Sequence, residues 1–135
     1  MKIKIYTDGG SRGNPGISGF GLVVIDEANQ IVYQQSQSLG IKTNNEAEYA
    51  GALSAISWLV TNQSRFTSAQ FISDSQLMIC QINGQYKVKA ANLIPLYQQL
   101  ISLISQVKIP LTFSHTLREG NQLADQLANQ AMDQQ

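Results

Sequence analysis

Four carboxylate residues lie where a predicted strand or helix begins or ends. Asp8 follows a stretch, residues 2–7, in which apolar and polar side chains alternate with the period of a β-strand. Asp74 follows a second strand pattern, Glu48 falls in the first turn of a predicted helix, and Asp125 lies early in the last predicted helix. Each residue alone is typical of a cap, a turn or a solvated face. Together they predict a shared site, because chemistry is commonly carried by residues at element ends that a rigid scaffold positions.

Carboxylates that converge without a cation repel one another, so such a cluster favours a site for hard metal ions. The chain has one histidine, His115, and one cysteine, Cys80. Oxygen is therefore the main ligand type, which favours Mg²⁺ or Mn²⁺ over Zn²⁺. Two such ions about 4 Å apart suit displacement at phosphorus, one activating water and one stabilising the leaving oxygen. The apolar neighbours of Cys80 predict a buried structural thiol rather than a nucleophile.

The composition predicts a single domain spanning residues 1–135, a length that suffices to bury a core. Charged residues make up 13% of the chain, compared with roughly 25% in an average domain. The net charge of zero argues against a strongly basic nucleic-acid binder at the level of the whole chain. The single cysteine fits a reducing compartment, and no apolar run approaches the roughly 20 residues of a membrane span. We therefore expect a cytoplasmic monomer without membrane contact.

Turn residues and hydrophobic periodicity divide the chain into strands and helices. Gly9 and Gly10 are expected to end the first strand, and the turn-rich stretch 11–19 is too polar to continue it. Asn45 is the predicted N-cap of the first helix, which places Glu48 at the third helical position. The predicted elements are strands at 2–7, 20–26 and 30–39, a helix at 45–61, a strand at 69–73, helices at 75–82 and 90–104, a strand at 107–115 and a helix from 121.

The order of these elements predicts an α/β fold. Short connections between the first three strands require an antiparallel meander, whereas the later strands are joined through helices. The expected architecture is one five-stranded mixed sheet with helices against its faces. If the first and fourth strands are parallel neighbours, Asp8 and Asp74 lie at the same edge of the sheet, where ligands gather in sheets of this kind.

Four stretches resemble the signature motifs of type 1 ribonuclease H, in the order in which that family carries them. The resemblance covers the chain nearly end to end, and the ordered set is far more specific than any single stretch. It implies the ribonuclease H fold and Mg²⁺-dependent hydrolysis of the RNA strand of an RNA–DNA hybrid, leaving 3′-hydroxyl and 5′-phosphate ends. The stretches are Tyr6–Gly10 with Gly13–Gly16, Thr43–Glu48, Ser73–Gln76 and Asn121–Asp125.

The resemblance also implies roles for individual residues. The family's Thr-Asn-Asn-x-x-Glu pattern selects Glu48 over its neighbour Glu46, and Thr43 is implied to help hold a phosphate of the DNA strand. The metal-binding catalytic carboxylates of the family are matched by Asp8, Glu48, Asp74 and Asp125. Neutral side chains suited to reading the RNA 2′-hydroxyl and the minor groove are matched by Ser11, Asn14, Asn44, Asn45 and Gln76. The asparagines are also typical of caps and turns, and the two roles can coexist.

The connection between the last strand and the last helix departs from the pattern of many members. Those members carry a mobile histidine in a glycine-containing loop, whereas this connection is short and has His115 at the end of the strand. It resembles a compact, archaeal-like subgroup in which an arginine takes the place of the histidine. Arg118 is thereby implied to neutralise phosphate or to help the product leave. For His115 three roles stay open: lining the sheet edge, orienting a carboxylate, or packing.

A second departure is the short connection at residues 83–89, where other members carry an extra helix and a basic protrusion that grips the hybrid. Lys87 and Lys89, beside Tyr86, form only a small patch for phosphate contact. We therefore expect weak, salt-sensitive substrate binding.

Two alternatives to a hybrid-specific nuclease stay open at this point. The compact subgroup makes a broader specificity plausible, with cleavage of double-stranded RNA as well. The other alternative is a nucleic-acid-binding module without catalysis, or a domain detached from a reverse transcriptase. The complete set of acidic residues speaks against the latter, because a pure binder gains nothing from negative charge where phosphate must approach.

Overall fold

The computed structural model describes all 135 residues and contains the predicted strands and helices in the predicted order. Two short 3₁₀ turns, at Gln63–Arg65 and Arg118–Gly120, are additional. The strands are β1 (Lys2–Gly13), β2 (Gly16–Asp26), β3 (Ile31–Lys42), β4 (Ser68–Ser73) and β5 (Leu111–His115). The helices are α1 (Asn44–Asn62), α2 (Gln76–Ile82), α3 (Ile94–Ile104) and α4 (Gln122–Asp133).

The strands form one five-stranded mixed sheet in the order β3-β2-β1-β4-β5. β2 is antiparallel to β1 and β3, whereas β4 is parallel to β1 and β5. The predicted meander followed by helix-linked parallel strands is therefore confirmed. A side chain at Gly9 would point towards Ala47 of α1, and one at Gly10 towards Met132 of α4. Because successive strand residues face opposite sides of a sheet, α1 and α4 cover opposite faces.

The main hydrophobic core lies between the sheet and α1. Alternate residues of β1, Ile3 and Ile5, are buried there with Phe71 of β4, and Leu100 of α3 closes the cluster. Cys80 was predicted to be buried, but the structure leaves it half-buried, because Met78 and Ile79 are the residues of α2 that are buried in the core. No helix combines the length and the apolar character needed to cross a membrane.

The two glycines of β1 do not end the strand, and that prediction was wrong. β1 continues to Gly13 and pairs with β2 along its whole length, so only Asn14 and Pro15 form the turn of the hairpin. The parallel pairing of β1 with β4, in contrast, stops at Thr7. Glycine here serves close packing rather than a turn, since a Cβ atom at Gly9 would collide with the backbone of α1.

The boundaries of several other elements also differ from their predicted positions. β2 begins at Gly16 rather than at residue 20, and β3 continues to Lys42 rather than ending at residue 39. The N-cap of α1 is Thr43 rather than Asn45, because Thr43 and Glu46 form a reciprocal capping box. α3 begins at Ile94, later than predicted, with Pro95 in its first turn where its missing N–H is tolerated. β5 begins only at Leu111, after Pro110, and lies at the edge of the sheet as the proline suggested.

The Gly9→Ala substitution is expected to destabilise the fold by about 1 to 3 kcal/mol, because the added methyl group meets the α1 backbone, which cannot rotate away. Chemical denaturation with circular dichroism measures the change. Gly10→Ala is the matched control: its methyl group would meet only the flexible tip of Met132, at 3.2 Å. Equal stabilities of the two variants would contradict the close approach of α1 to β1.

Candidate active site

Three parallel strands bring their carboxyl ends to one edge of the sheet. Thr7 of β1, Ser73 of β4 and His115 of β5 lie side by side in register. Asp8 and Asp74 are the next residues of their strands, so the prediction that they share an edge is confirmed. The backbone at this edge is itself tied together, since the N–H of Thr116 donates to the Ser73 carbonyl at 2.9 Å.

Glu48 reaches the same edge from the first turns of α1. The N–H of Gly9 donates to Glu48 Oε1 at 2.6 Å, which fixes the carboxylate beside Asp8. The contact exists only because Gly9 lacks a side chain and lets the α1 backbone come close. Carboxylate oxygens of Asp8, Glu48 and Asp74, here called the carboxylate trio, all lie within 4.8 Å of one another.

Asp125 lies outside the trio, although the sequence predicted all four carboxylates together. It extends from α4 on the opposite face of the sheet and sits next to Asp8, whose pKa it helps to raise. Asn121 fixes this arrangement. Its side-chain N–H donates to the backbone carbonyl of Thr7 at 2.8 Å, and its backbone carbonyl accepts from the Asp125 N–H at 3.1 Å.

Sequence reasoning recognised Asn121 only as the start of the last helix. The side chain does not cap α4 but is buried, at 1% exposure, against β1. It links two segments 114 residues apart. The one signal that pointed to it was its spacing of four residues from Asp125 within a family motif. Asn121 thus positions α4, and with it Asp125, relative to Asp8.

Burial and mutual repulsion shape the charge state of the site. Burial, followed by the charge of Glu48, raises the pKa of Asp8 to about 9. Burial, followed by the charge of Asp74, raises the pKa of Glu48 to about 8, although the Gly9 N–H and the Arg118 charge oppose the shift. Without a cation, the raised pKa values favour protonation at this site, and the titrations of Asp8 and Glu48 are coupled. A divalent ion is the natural partner of this all-oxygen set, because it favours the ionised forms.

His115 and Arg118 both reach the site, as the sequence predicted. They line a cavity of about 370 Å³ that also contains the carboxylate trio. Both side chains are exposed. Of the two, Arg118 influences the carboxylates, since its charge lowers the pKa of Glu48. His115 lines the sheet edge, which is one of the three roles left open for it.

The predicted substrate-contact residues at the rim hold two segments together. The N–H of Ser11 donates to Asn44 Oδ1 at 2.7 Å, and the N–H of Asn44 donates to Asn14 Oδ1 at 3.0 Å. Ser11, Asn14 and Asn44, here called the polar clasp, thereby join the β1–β2 hairpin to the start of α1. Asn45 lines the cavity, and Thr43 caps α1 through its hydroxyl group.

The remaining predicted contact residues do not line the cavity of the carboxylates. Gln76 is exposed at the first position of α2. Lys87 and Lys89 are exposed in the connection between α2 and α3, and Lys87 lines a separate cavity with Tyr86 and Tyr97. Lys87 and Lys89, in the connection between α2 and α3, define a second region, and none of the three residues lines the cavity that holds the trio.

The raised pKa values predict that the metal-free protein loses stability as the pH rises. Asp8 and Glu48 bind protons more tightly in the folded than in the unfolded chain. The free energy of unfolding therefore falls with increasing pH, from about pH 4 to about pH 9. At pH 8 in EDTA, Asp8→Asn should raise the Tm by roughly 4 °C or more, because the folded chain then no longer has to keep a proton on Asp8 or bury its charge.

Thermal unfolding at pH 5 and pH 8 checks this expectation. Glu27→Gln is the control, since Glu27 is exposed at the opposite edge of the sheet, where it accepts only from the Lys2 N–H. It should leave the pH dependence unchanged. A wild-type protein that is as stable at pH 8 as at pH 5 in EDTA would argue against buried, repelling carboxylates.

Known proteins are similar to this chain in sequence and in fold. The family described as reverse transcriptase-like matches residues 6–131. The bifunctional protein Rv2228c of Mycobacterium tuberculosis is 41% identical over 98% of this chain, which spans 36% of the length of that relative. A ribonuclease H of Ruthia magnifica is 34% identical, with 98% of this chain and 96% of the relative covered.

A solved structure extends the comparison to the fold. LC11-RNase H1 in complex with an RNA/DNA hybrid superimposes with a TM-score of 0.91 at 36% identity, over 98% of this chain and 97% of that one. Sequence and fold therefore agree with those of these proteins. The chain belongs to the type 1 ribonuclease H family.

Proposed function

We propose that this chain hydrolyses the RNA strand of RNA–DNA hybrids as an endonuclease, leaving 5′-phosphate and 3′-hydroxyl ends. The observation that carries the proposal is the carboxylate trio in an open cavity that the neutral hydrogen-bonding side chains of Asn44 and Asn45 also line. A relative of the same fold, LC11-RNase H1, is described in complex with an RNA/DNA hybrid, which supports this choice of substrate.

The proposal includes two divalent ions, Mg²⁺ or alternatively Mn²⁺, held by Asp8, Glu48, Asp74 and Asp125. The donor set fits hard cations, since all of its ligand atoms are carboxylate oxygens and the pKa values of Asp8 and Glu48 are raised in the absence of positive charge. When bound, such ions activate water for attack at phosphorus and stabilise the leaving oxygen. Asp8 lies within the trio and beside Asp125, so its carboxylate could bind a metal ion together with either of them.

The other residues of the cavity orient the carboxylates and neutralise the charge of the phosphate. The Gly9 N–H holds the Glu48 carboxylate in a fixed position, so little reorganisation is needed when charge develops. Arg118 places a positive charge on the open side of the trio, where it would stabilise the phosphate that undergoes reaction. His115, exposed on the same wall, is available to exchange a proton with the leaving group or with water.

The polar clasp is proposed to recognise the sugar edge of the hybrid. Ser11, Asn14 and Asn44 use part of their hydrogen-bonding capacity to hold the hairpin against α1, which fixes them before substrate arrives. Asn45 lines the same cavity, and with Gln76 it offers further neutral groups for the 2′-hydroxyl and the minor groove.

The DNA strand is proposed to lie towards the second region. Thr43 at the start of α1, and Lys87 and Lys89 beyond α2, would contact its phosphates. Few cations are involved and they are exposed, so binding should be weak and sensitive to salt. We further propose that the chain acts as a single domain and a monomer in the cytoplasm, where its one cysteine stays reduced.

Asp74→Asn is expected to lower the rate of hybrid cleavage by roughly a hundredfold or more, because it removes a ligand oxygen charge from the trio. A 5′-labelled RNA strand annealed to DNA, incubated with and without Mg²⁺, measures the rate and the ends produced. Glu27→Gln, the same chemical change at the opposite sheet edge, should cleave at the wild-type rate.

The outcome of that assay also separates the alternatives. Cleavage by Asp74→Asn at the wild-type rate would overturn the assignment of the trio. Hybrid binding without cleavage by the wild type, in Mg²⁺ or Mn²⁺, would indicate a binding module. Replacing the hybrid by double-stranded RNA tests breadth: cleavage of both duplexes at similar rates would indicate the broader specificity.

A further inference from the structure

Arg12 is a positive side chain near the active site that no role described above uses. It follows Asp8 by four residues in β1, so both side chains face α4. Its guanidinium Nη2 lies 2.6 Å from Asp133 Oδ1 and 3.4 Å from Asn129 Oδ1, both on the last turns of α4.

Arg12 stands at the end of a groove that begins at the carboxylates. This groove, here called the α4 groove, has a volume of about 290 Å³ and runs between β1 and α4 from Asp8 and Asp125 to Arg12 and Asn129. Four residues of extended chain span about 13 Å. That length corresponds to a few nucleotides of a strand whose phosphate is at Asp8.

The cations that line this groove and the adjoining cavity, His115 aside, are Arg12 and Arg118. Arg118 lies beside the trio, close to where the reacting phosphate must bind. A strand that continues along the α4 groove would meet no other positive side chain than Arg12. The remaining walls are neutral or acidic, so a phosphate that stays in the groove needs this guanidinium.

The ion pair with Asp133 does not prevent such binding. The side chains of Arg12 and Asp133 are 46% and 65% exposed, and ion pairs so open to water add little net stability. A guanidinium also matches the geometry of phosphate with two parallel N–H donors, whereas the recorded contact to Asp133 uses one nitrogen. A phosphate can therefore displace the carboxylate at small cost.

We propose that Arg12 binds a backbone phosphate of the cleaved strand, a few nucleotides from the scissile bond, and that Asp133 competes with this phosphate for the guanidinium. The inference rests on the proposed function, since it concerns the same substrate. It assigns Arg12 to substrate positioning and Asp133 to tuning of affinity, and neither residue to the chemical step.

The test combines binding and kinetics. Binding of a fluorescent RNA–DNA hybrid is measured by anisotropy over a range of KCl concentrations in Asp74→Asn protein, with and without Arg12→Ala. In a plot of the logarithm of affinity against the logarithm of salt concentration, Arg12→Ala should make the slope shallower by roughly 0.7 to 0.9. That change corresponds to the loss of one phosphate contact. In the active protein, Arg12→Ala should raise KM about three- to tenfold at low salt and leave kcat within about twofold.

Two further variants separate a contact with substrate from a structural role. Arg65→Ala removes the same charge from an exposed site after α1, where Arg65 packs over Phe66, and should change neither the salt slope nor KM. Asp133→Asn removes the competitor, so KM should fall a few-fold, whereas loss of a stabilising ion pair would not improve binding. Thermal unfolding confirms that each variant is folded.

The outcomes also distinguish this inference from the proposed function. If the wild type neither binds nor cleaves the hybrid, the proposed function fails and the role of Arg12 fails with it. If the wild type binds and cleaves the hybrid, and Arg12→Ala has the same salt slope and the same KM as the control Arg65→Ala, only the inference about Arg12 is overturned. An unchanged or raised KM in Asp133→Asn would overturn the competition.

Discussion

The repulsion between buried carboxylates is the constraint on which the rest of the structure depends. Asp8 and Glu48 are each only 8% exposed and lie beside Asp74, an arrangement that opposes their ionisation. The fold tolerates it because three features hold the groups in place: the parallel pairing of β1 with β4, the approach of α1 to Gly9, and the Gly9 N–H that this approach brings to Glu48. A site of this kind is destabilising for the apoprotein and ready for divalent ions.

The positive side chains near the site are few and lie at separate positions. A chain with no net charge cannot attract nucleic acid over its whole surface, so individual cations must act locally. Arg118 sits beside the trio, Arg12 marks the far end of the α4 groove, and Lys87 and Lys89 lie in the second region. The other side chains that line the cavity and the groove are acidic or neutral, His115 aside.

The sequence was sufficient where the signal was local or where topology followed from connection lengths. The shared edge of Asp8 and Asp74 followed from the parallel pairing of their strands, and Glu48 followed from the helix start. The sequence was insufficient where the role of a residue depends on a partner that is distant in the chain. Gly9 looks like a strand terminus until β2 and α1 are both present. Asn121 looks like a cap until its side chain finds Thr7, and the Arg12–Asp133 pair joins residues at opposite ends of the chain.

The most direct test of the account is a count of the protons released when Mg²⁺ binds. Titration calorimetry in buffers of different ionisation enthalpy gives that number. Because the pKa values of Asp8 and Glu48 are about 9 and about 8 without metal, binding at pH 7 should release roughly one to two protons per molecule, and far fewer at pH 10. Tight Mg²⁺ binding at pH 7 without proton release would mean that the carboxylates are already ionised, and would contradict the central role assigned to their repulsion.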